Sequence, residues 1–438
     1  MNSSKFFLTS NFGGGGQTVS RLFFYLGFLN DIKSEKINIL LNYRYLKFFK
    51  EDYPYYKFTP VFNPKTLEEL DDNSVTLSSF FNSSKKLLEI EPVQLPSQFE
   101  NINTKKDISV LLDTGSGALI RNLLSTNKGS KGDVIKFMNN LVESYVQYIE
   151  EKKPDFAIAL DYADKNTYKD IAAKDPKINN FVSSLVNNKE NQIILLEKSL
   201  TLFHEKKLKT KLYAPLHGNS EEEIIENLHL ILKLENKVGH KFYGIALGGL
   251  AQWSRRGDGN VFIGNIISKI KKADATKSIH VLGSSGLKRI IPFTYAGADS
   301  FDCHTYWRRA NDGSLTSTSE SKIVIPLLDK NGEVNNKQKN IFENIKISDI
   351  DTKRWFCNCF VCKEIGISFI KNIYSKPVDA EEYYLSKILI YFHSVYQYQF
   401  LFEKINDMST SESIDFINSL PVTTFSSKLK SEINDIKF

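Results

Sequence analysis

Eight short runs of β-type residues, with helix-period segments between most of them, constrain this chain more than any other feature. The runs are Phe6-Phe7-Leu8-Thr9, Ile37 to Asn42, Val110 to Asp113, Phe156 to Asp161, Leu212 to His217, Phe242 to Gly248, Ile279 to Gly283 and Ser300 to Cys303. Helical patterns fall at 133–152, 191–206, 220–236 and 261–272, and the second repeats Ile194, Leu195, Leu200 and Phe203 at helical spacing. Eight such strand–helix units in roughly 300 residues build a parallel sheet that closes on itself. The expected fold is α/β, a (β/α)8 TIM barrel over residues 1–350, with a doubly wound open sheet as the competing arrangement. Residues 43–105, rich in Tyr, Phe, Pro, Ser and Asn, break the rhythm and read as an insertion. Residues 304–350 read as polar loop, with "NDGSLTSTSESK" as an exposed turn region. A metal-binding subdomain packed on the barrel is expected over 351–400, followed by a helical tail over 401–438.

Three of the chain's four cysteines, Cys357, Cys359 and Cys362, fall within six residues, and His393 lies thirty-one residues further on in a helical stretch. Three clustered thiols cannot all pair as disulfides, and the start of the chain, Met1 to Ser10, is short and polar rather than signal-like. In a reducing compartment such a cluster means metal, here a tetrahedral Cys₃His zinc site. Four protein ligands leave no open position, so the zinc is expected to be structural. The competing reading of His393 is a core histidine on the apolar face of Leu385, Ile388, Leu389, Phe392 and Tyr396.

Hydrophobic residues make up 41% of the chain, enough for a full core, and no apolar run approaches the ~20 residues that span a bilayer. A soluble, cytoplasmic protein without a membrane partner is expected. The formal charge of +6 admits a nucleic-acid partner without demanding one. Each of the three tryptophans, Trp253, Trp307 and Trp355, stands beside a pair of cations: Arg255 and Arg256, Arg308 and Arg309, Lys353 and Arg354. That pairing suits phosphate contacts with base stacking, although each pair alone also suits a solvated face.

Acids and glycines gather at the C-terminal ends of the strand runs, the end where barrels of this kind carry their active sites. The third run ends in Asp113-Thr114-Gly115-Ser116-Gly117 and the fourth in Asp161. The fifth and sixth end in His217-Gly218 and Gly248-Gly249. The seventh ends in Leu282-Gly283, and the eighth carries Asp302. Glycines there let a flat ligand approach the backbone. Three carboxylates on one rim fit several chemistries. A glycosidase would use two of them as acid and nucleophile. A metal-dependent hydrolase would need strand-end histidines, and only His217 and His280 offer themselves. A single such aspartate also reads as a helix N-cap. The glycine-rich turns match neither a P-loop nor a dinucleotide fingerprint.

From residue 108 to 400 the chain resembles the tRNA-guanine transglycosylase superfamily. "VLLDTGSGAL" is similar to that family's D-S-G-G strand end, and "PDFAIALD" to its aspartate-bearing fourth strand. "APLHGNSEEEIIENL" is similar to its V-Q-G segment, and "YGIALGGLA" to its G-x-A-I-G-G-L-A signature. "VLGSSGLKRIIPFTYAGADSFDC" is similar to the strand that leads into its nucleophile. "CNCFVC" with the histidine of "ILIYFHSVYQYQF" matches its zinc pattern. The resemblance implies exchange of a guanine in nucleic acid for a 7-deazaguanine such as preQ0. Asp302 would be the nucleophile and Asp113 the general acid/base. Asp161 would read the donor edge of the base, with His217, Gly218, Gly248, Gly249 and Gly283 around it and Leu282 against its face. Arg255, Arg256, Arg308 and Arg309 would hold the nucleic acid, and Zn2+ would sit on Cys357, Cys359, Cys362 and His393.

Within that superfamily the chain departs from the tRNA enzymes in three places. His217 stands where they carry Gln, and Gly117 or Ala118 where an aromatic residue is expected. The segment "CHTYWRRANDGSL" is unlike the bacterial anticodon-loop reader, and no archaeal-type C-terminal RNA-binding domain is evident. The resemblance is therefore closer to the 7-deazaguanine DNA transglycosylase branch, with tRNA as the alternative substrate. Some relatives act as non-catalytic partners, so a homodimer or a partner subunit stays open.

Overall fold

The computed structural model describes residues 5–9, 36–43, 107–125, 131–163, 189–218, 220–250, 259–283, 287–303, 312–316, 322–325, 366–375 and 380–407. It also describes isolated positions, among them Tyr168, Val182, Tyr306, Arg309, Ala310, Cys357, Cys359, Val361 and Cys362. The expected insertion at 43–105 lies outside the described residues, apart from Tyr43, and so does almost all of the chain beyond Asp407.

Eight parallel strands close into a barrel in chain order: β1 (Lys5–Thr9), β2 (Lys36–Asn42), β3 (Asp107–Asp113), β4 (Phe156–Ile158), β5 (Lys211–Leu216), β6 (Gly244–Leu247), β7 (Ser278–Val281) and β8 (Ser300–Cys303). Pairing of β1 with β8, Phe7 opposite Asp302, closes the ring, so the open-sheet alternative is excluded. Described helices follow β3 to β7. After β3 come α1 (Ser116–Ser125) and α2 (Lys131–Lys152), and after β4 comes α3 (Lys189–Glu205). Then α4 (Glu221–Val238), α5 (Gly259–Ala273) and α6 (Leu287–Tyr295) follow β5, β6 and β7.

These boundaries have local causes. Helix α4 opens on Ser220, whose side chain accepts the Glu223 N–H at 3.1 Å, with three glutamates in its first turn favouring the positive end of the helix. It stops at Gly239, whose N–H returns to the Glu235 carbonyl at 2.9 Å. The buried side of α3 is Leu195, Leu196, Ser199, Leu200 and Phe203. Ile194, expected on that face, is 53% exposed instead. Neighbours α2 and α4 decide which stripe is covered, and Ile194 lies at its edge.

Alternation along the strands sorts the core into two parts. Phe7, Leu40, Leu111, Phe156, Ile158, Tyr213 and Ala246 fill the barrel interior. The opposite strand faces pack with the helices into a larger surrounding core. Continuing the inward series toward the C-terminal ends gives Asn42, Asp113, His217, Gly248, Leu282 and Asp302. The mouth of the barrel is therefore polar because the strand period puts those residues there.

The stretch read as exposed loop after β8 is partly structured. Strands β9 (Ser314–Thr316) and β10 (Lys322–Val324) pair antiparallel, and Leu315 is fully buried. Helices α7 (Ile367–Ser375) and α8 (Ala380–Asp407) pack on each other, and α8 also touches β9, α6 and barrel strand β1. No helix among the described residues is long and apolar enough to cross a membrane.

Candidate active site and metal centre

Asp113, the last residue of β3, sits beside Asn42 in register, and Asn42 Nδ2 donates to its Oδ2 at 3.0 Å. Gly115 makes this contact possible. It holds φ 65, and a Cβ there would collide with the Asn42 amide. Burial, then the negative charges of Asp161 and Asp302, push the Asp113 carboxyl up to about 7. A carboxyl with that value can give and take a proton near neutral pH.

Asp161 follows β4 and receives different company. Ser116 Oγ at the start of α1 donates to its Oδ1, and His217 Nε2 lies 2.5 Å from its Oδ2. Burial would raise this carboxyl, but the His217 hydrogen bond and charge, together with Ser116, bring it below the usual range. Gly248 makes room for the imidazole, because a Cβ at that position would strike the His217 ring. Asn227 on α4 donates to the His217 carbonyl at 2.8 Å and fixes the turn below it.

Asp302 on β8 is 4% exposed. The Gly283 N–H donates to its Oδ1 at 2.9 Å, and His280 Nε2 lies 3.3 Å from the same oxygen. Three carboxylates with three different environments therefore share one barrel mouth. Two are close enough to Asp113 to raise it, and Asp113 and Asp161 are moved in opposite directions.

Most of the residues expected from sequence meet here. Asp113, Asp161, His217, Gly248, Leu282, Gly283 and Asp302 line one end of the barrel. Gly283 uses its amide on Asp302, and Leu282 is half-buried against the barrel interior. Gly249 holds φ 69 in the turn that ends β6. Gly218 has a packing neighbour, since a Cβ there would come within 2.6 Å of Ile224 on α4. Arg255, Arg256 and Arg308 lie outside the described residues. Arg309 stacks over the Tyr398 ring of α8 at 5.9 Å, and one of its guanidinium nitrogens is buried. Sequence reading missed Asn42, Ser116 and His280 as partners of the three aspartates. Two had a signal available, because Asn42 and His280 share the inward parity of Asp113 and Asp302.

The four expected metal ligands converge. Cys357, Cys359 and Cys362 Sγ and one His393 nitrogen all lie within 4.8 Å of one another. His393 Nδ1 is 3.3 Å from the sulfurs of Cys359 and Cys362 and 3.7 Å from that of Cys357. A tetrahedral zinc with sulfur at ~2.3 Å needs ligand separations of about 3.5–4 Å, so this set fits a metal ion. Gln397 Nε2 donates to Cys357 Sγ at 2.9 Å, as an outer-shell partner of a thiolate would. His393 is fully buried, but its ring nitrogen faces the sulfurs rather than the apolar face of α8. Tyr306, four residues after Asp302, packs edge-on against Tyr391 of α8 at 5.2 Å, two residues before His393.

A closed parallel barrel with three aspartates at its C-terminal mouth, and a Cys₃His cluster whose histidine sits on a helix packed against the barrel, defines a class of protein. The profile described as "Queuine tRNA-ribosyltransferase" matches residues 130–408, well over half of the chain, and the chain belongs to that family. A queuine tRNA-ribosyltransferase from Buchnera aphidicola subsp. Schizaphis graminum (strain Sg) is 25% identical over 211 residues, 48% of this chain and 49% of that one. The chain thus spans about half the length of the curated relative it matches. The matched region holds Asp161, His217, Asp302 and the four metal ligands, whereas Asn42 and Asp113 precede it.

Proposed function

We propose that this chain is a pentosyltransferase that exchanges a guanine in nucleic acid for a 7-deazaguanine base through a covalent aspartyl–glycosyl intermediate. One observation carries the reading: three carboxylates at a single mouth, each in an environment suited to a different task. Asp302 is held by the Gly283 amide. Its carboxylate attacks C1′ of the target nucleoside, the C1′–N9 bond breaks, and that electron pair leaves with guanine. Asp113, which stays protonated up to about 7, supplies the proton to the departing ring. In the second half the incoming base loses its N–H proton to Asp113 and attacks C1′. The bond to Asp302 then breaks, and the sugar configuration is retained. Asp161, held ionised by its hydrogen bonds with His217 and Ser116, accepts from the N–H donors on the guanine edge. Gly248, Gly249 and Leu282 bound the slot for the ring.

Zinc fits the Cys₃His cluster and would be structural. Cys357, Cys359, Cys362 and His393 would hold it, and it would tie the segment after β8 to α8. Metal analysis should find one zinc per chain, lost in Cys359→Ser.

We take DNA as the substrate, because the segment from Cys303 to Leu315 departs from the anticodon-loop reader of bacterial tRNA enzymes. The target base would have to be extruded from a duplex. The printed name of the Buchnera relative supports tRNA as the second reading. Mass spectrometry of nucleosides from DNA and from tRNA incubated with this protein and preQ0 decides between them. A deazaguanine nucleoside in DNA alone upholds the first reading, and in tRNA alone the second. None in either, with no labelled guanine exchanged, removes the proposal.

A further inference from the structure

His280 is a histidine inside the barrel that base exchange does not use. It is fully buried one layer below the mouth. Phe7 and Tyr213 flank its ring, with centroids at 5.7 and 6.0 Å. An aliphatic residue would fill that space without the cost of burying an imidazole.

Its two nitrogens face different partners. Nδ1 lies 2.9 Å from Ser300 Oγ on β8. The Tyr213 hydroxyl, 3.0 Å from Ser278 Oγ, also lies within hydrogen-bonding reach of Ser300. Where the Ser300 hydroxyl gives its hydrogen to Nδ1, Nε2 carries the ring proton and faces Asp302. Nε2 then meets Asp302 Oδ1 at 3.3 Å and has no other partner among the described residues. The Gly283 amide donates to that same oxygen. The contact stands just outside hydrogen-bond geometry in the resting site, and such contacts commonly tighten when substrate binds.

We propose that His280 is a positioning residue for the nucleophile. Ser300 engages its Nδ1, and its Nε2–H joins the Gly283 amide in holding the Asp302 carboxylate plane against C1′. The proposal rests on the base-exchange reading.

The test pairs spectroscopy with kinetics. In protein labelled with 15N-histidine, the His280 signal among the seven histidines is the one lost in His280→Gln. It should shift in Asp302→Asn. In steady-state guanine exchange, His280→Leu should lower kcat about 10- to 100-fold, as loss of a hydrogen-bond donor to a charged group does, with KM for nucleic acid held within about twofold. Its acid limb should move to higher pH, because the carboxylate becomes harder to ionise. His280→Gln, which keeps an N–H, should recover part of the loss. Ser300→Ala should reproduce a milder form of it, and serves if His280→Leu does not fold. An imidazole signal indifferent to Asp302→Asn would overturn the proposal. So would a kcat loss with an unmoved acid limb and no rescue by Gln. Failure of base exchange itself would show separately, as absence of exchange by the wild-type protein, and the imidazole shift would still decide the contact.

Discussion

At the N-terminal end of the barrel buried charges cancel in pairs, whereas at the C-terminal mouth like charges are collected. Lys277, 2% exposed, lies 2.5 Å from Glu235, and its Nζ also donates to the Phe242 carbonyl at 2.8 Å. The same Glu235 oxygen accepts the Phe242 N–H at 2.8 Å, so the end of α4, the turn after it and the start of β7 are tied by one ion pair. Lys271 does the same for Asp299 ahead of β8, at 2.8 Å. At the mouth, Asp113, Asp161 and Asp302 meet Asn42, Ser116, several backbone amides and two imidazoles, and no lysine or arginine among their described partners. One end is arranged for stability. The other keeps a carboxyl near neutrality at a cost in stability, which is the mark of a site that must move protons.

The contrast is sharpest for Asp302. Asp302→Asn should lower exchange by about 10⁴-fold or more while leaving thermal unfolding near wild type, because a nucleophile stabilises only the transition state. Equal activity with lowered stability would place Asp302 with the structural charges instead. At the other end, Lys277→Met should cost about 3–5 kcal/mol, since it strands the buried Glu235 charge. Exchange per folded molecule should not change, and adding Glu235→Gln should recover much of the loss. Urea unfolding measures both.

Asp113→Asn should act with the opposite sign. Its folded pKa of about 7 lies above the ordinary value of 3.8, so the folded state binds the proton more tightly. Wild-type stability therefore falls as pH rises between those values. Removing the group should stabilise the fold by about 2–4 kcal/mol above pH 7, with no gain below pH 4. The same variant should lose about 10²- to 10⁴-fold in exchange. In the wild type, kcat/KM should decline as pH rises through about 7. A neutral or destabilising Asp113→Asn would mean that the mouth does not repel itself. The smallest effect belongs on the outer surface, where Glu150 meets Lys206 at 2.6 Å with both side chains over a third exposed. Glu150→Ala should change stability by less than about 1 kcal/mol.

The barrel was legible because its signal is periodic and repeated. β8 falls on its expected residues, and β4 and β6 are shorter than read, although the Ala159 and Gly248 amides still reach the neighbouring strand. The aspartates were legible as strand-end acids, and the metal ligands as clustered thiols that meet one histidine. What stayed hidden was relational. Asn42, Ser116 and His280 are single polar residues in otherwise ordinary runs, and only the register places each beside its aspartate. β9 and β10 are three-residue Ser/Thr/Lys-rich strands, too short for alternation to show, and Leu315 is buried in a strand that packs against α8, distant in sequence.

The account stands on a covalent bond to Asp302. The direct measurement is to incubate the protein with guanine-containing DNA or tRNA, quench in denaturant, digest, and locate any attached nucleotide by peptide mass spectrometry. A sugar–phosphate adduct on the peptide bearing Asp302, absent from Asp302→Asn and lost when preQ0 is added before quenching, is the expected result. An adduct on another residue, or undiminished exchange by Asp302→Asn, would contradict it.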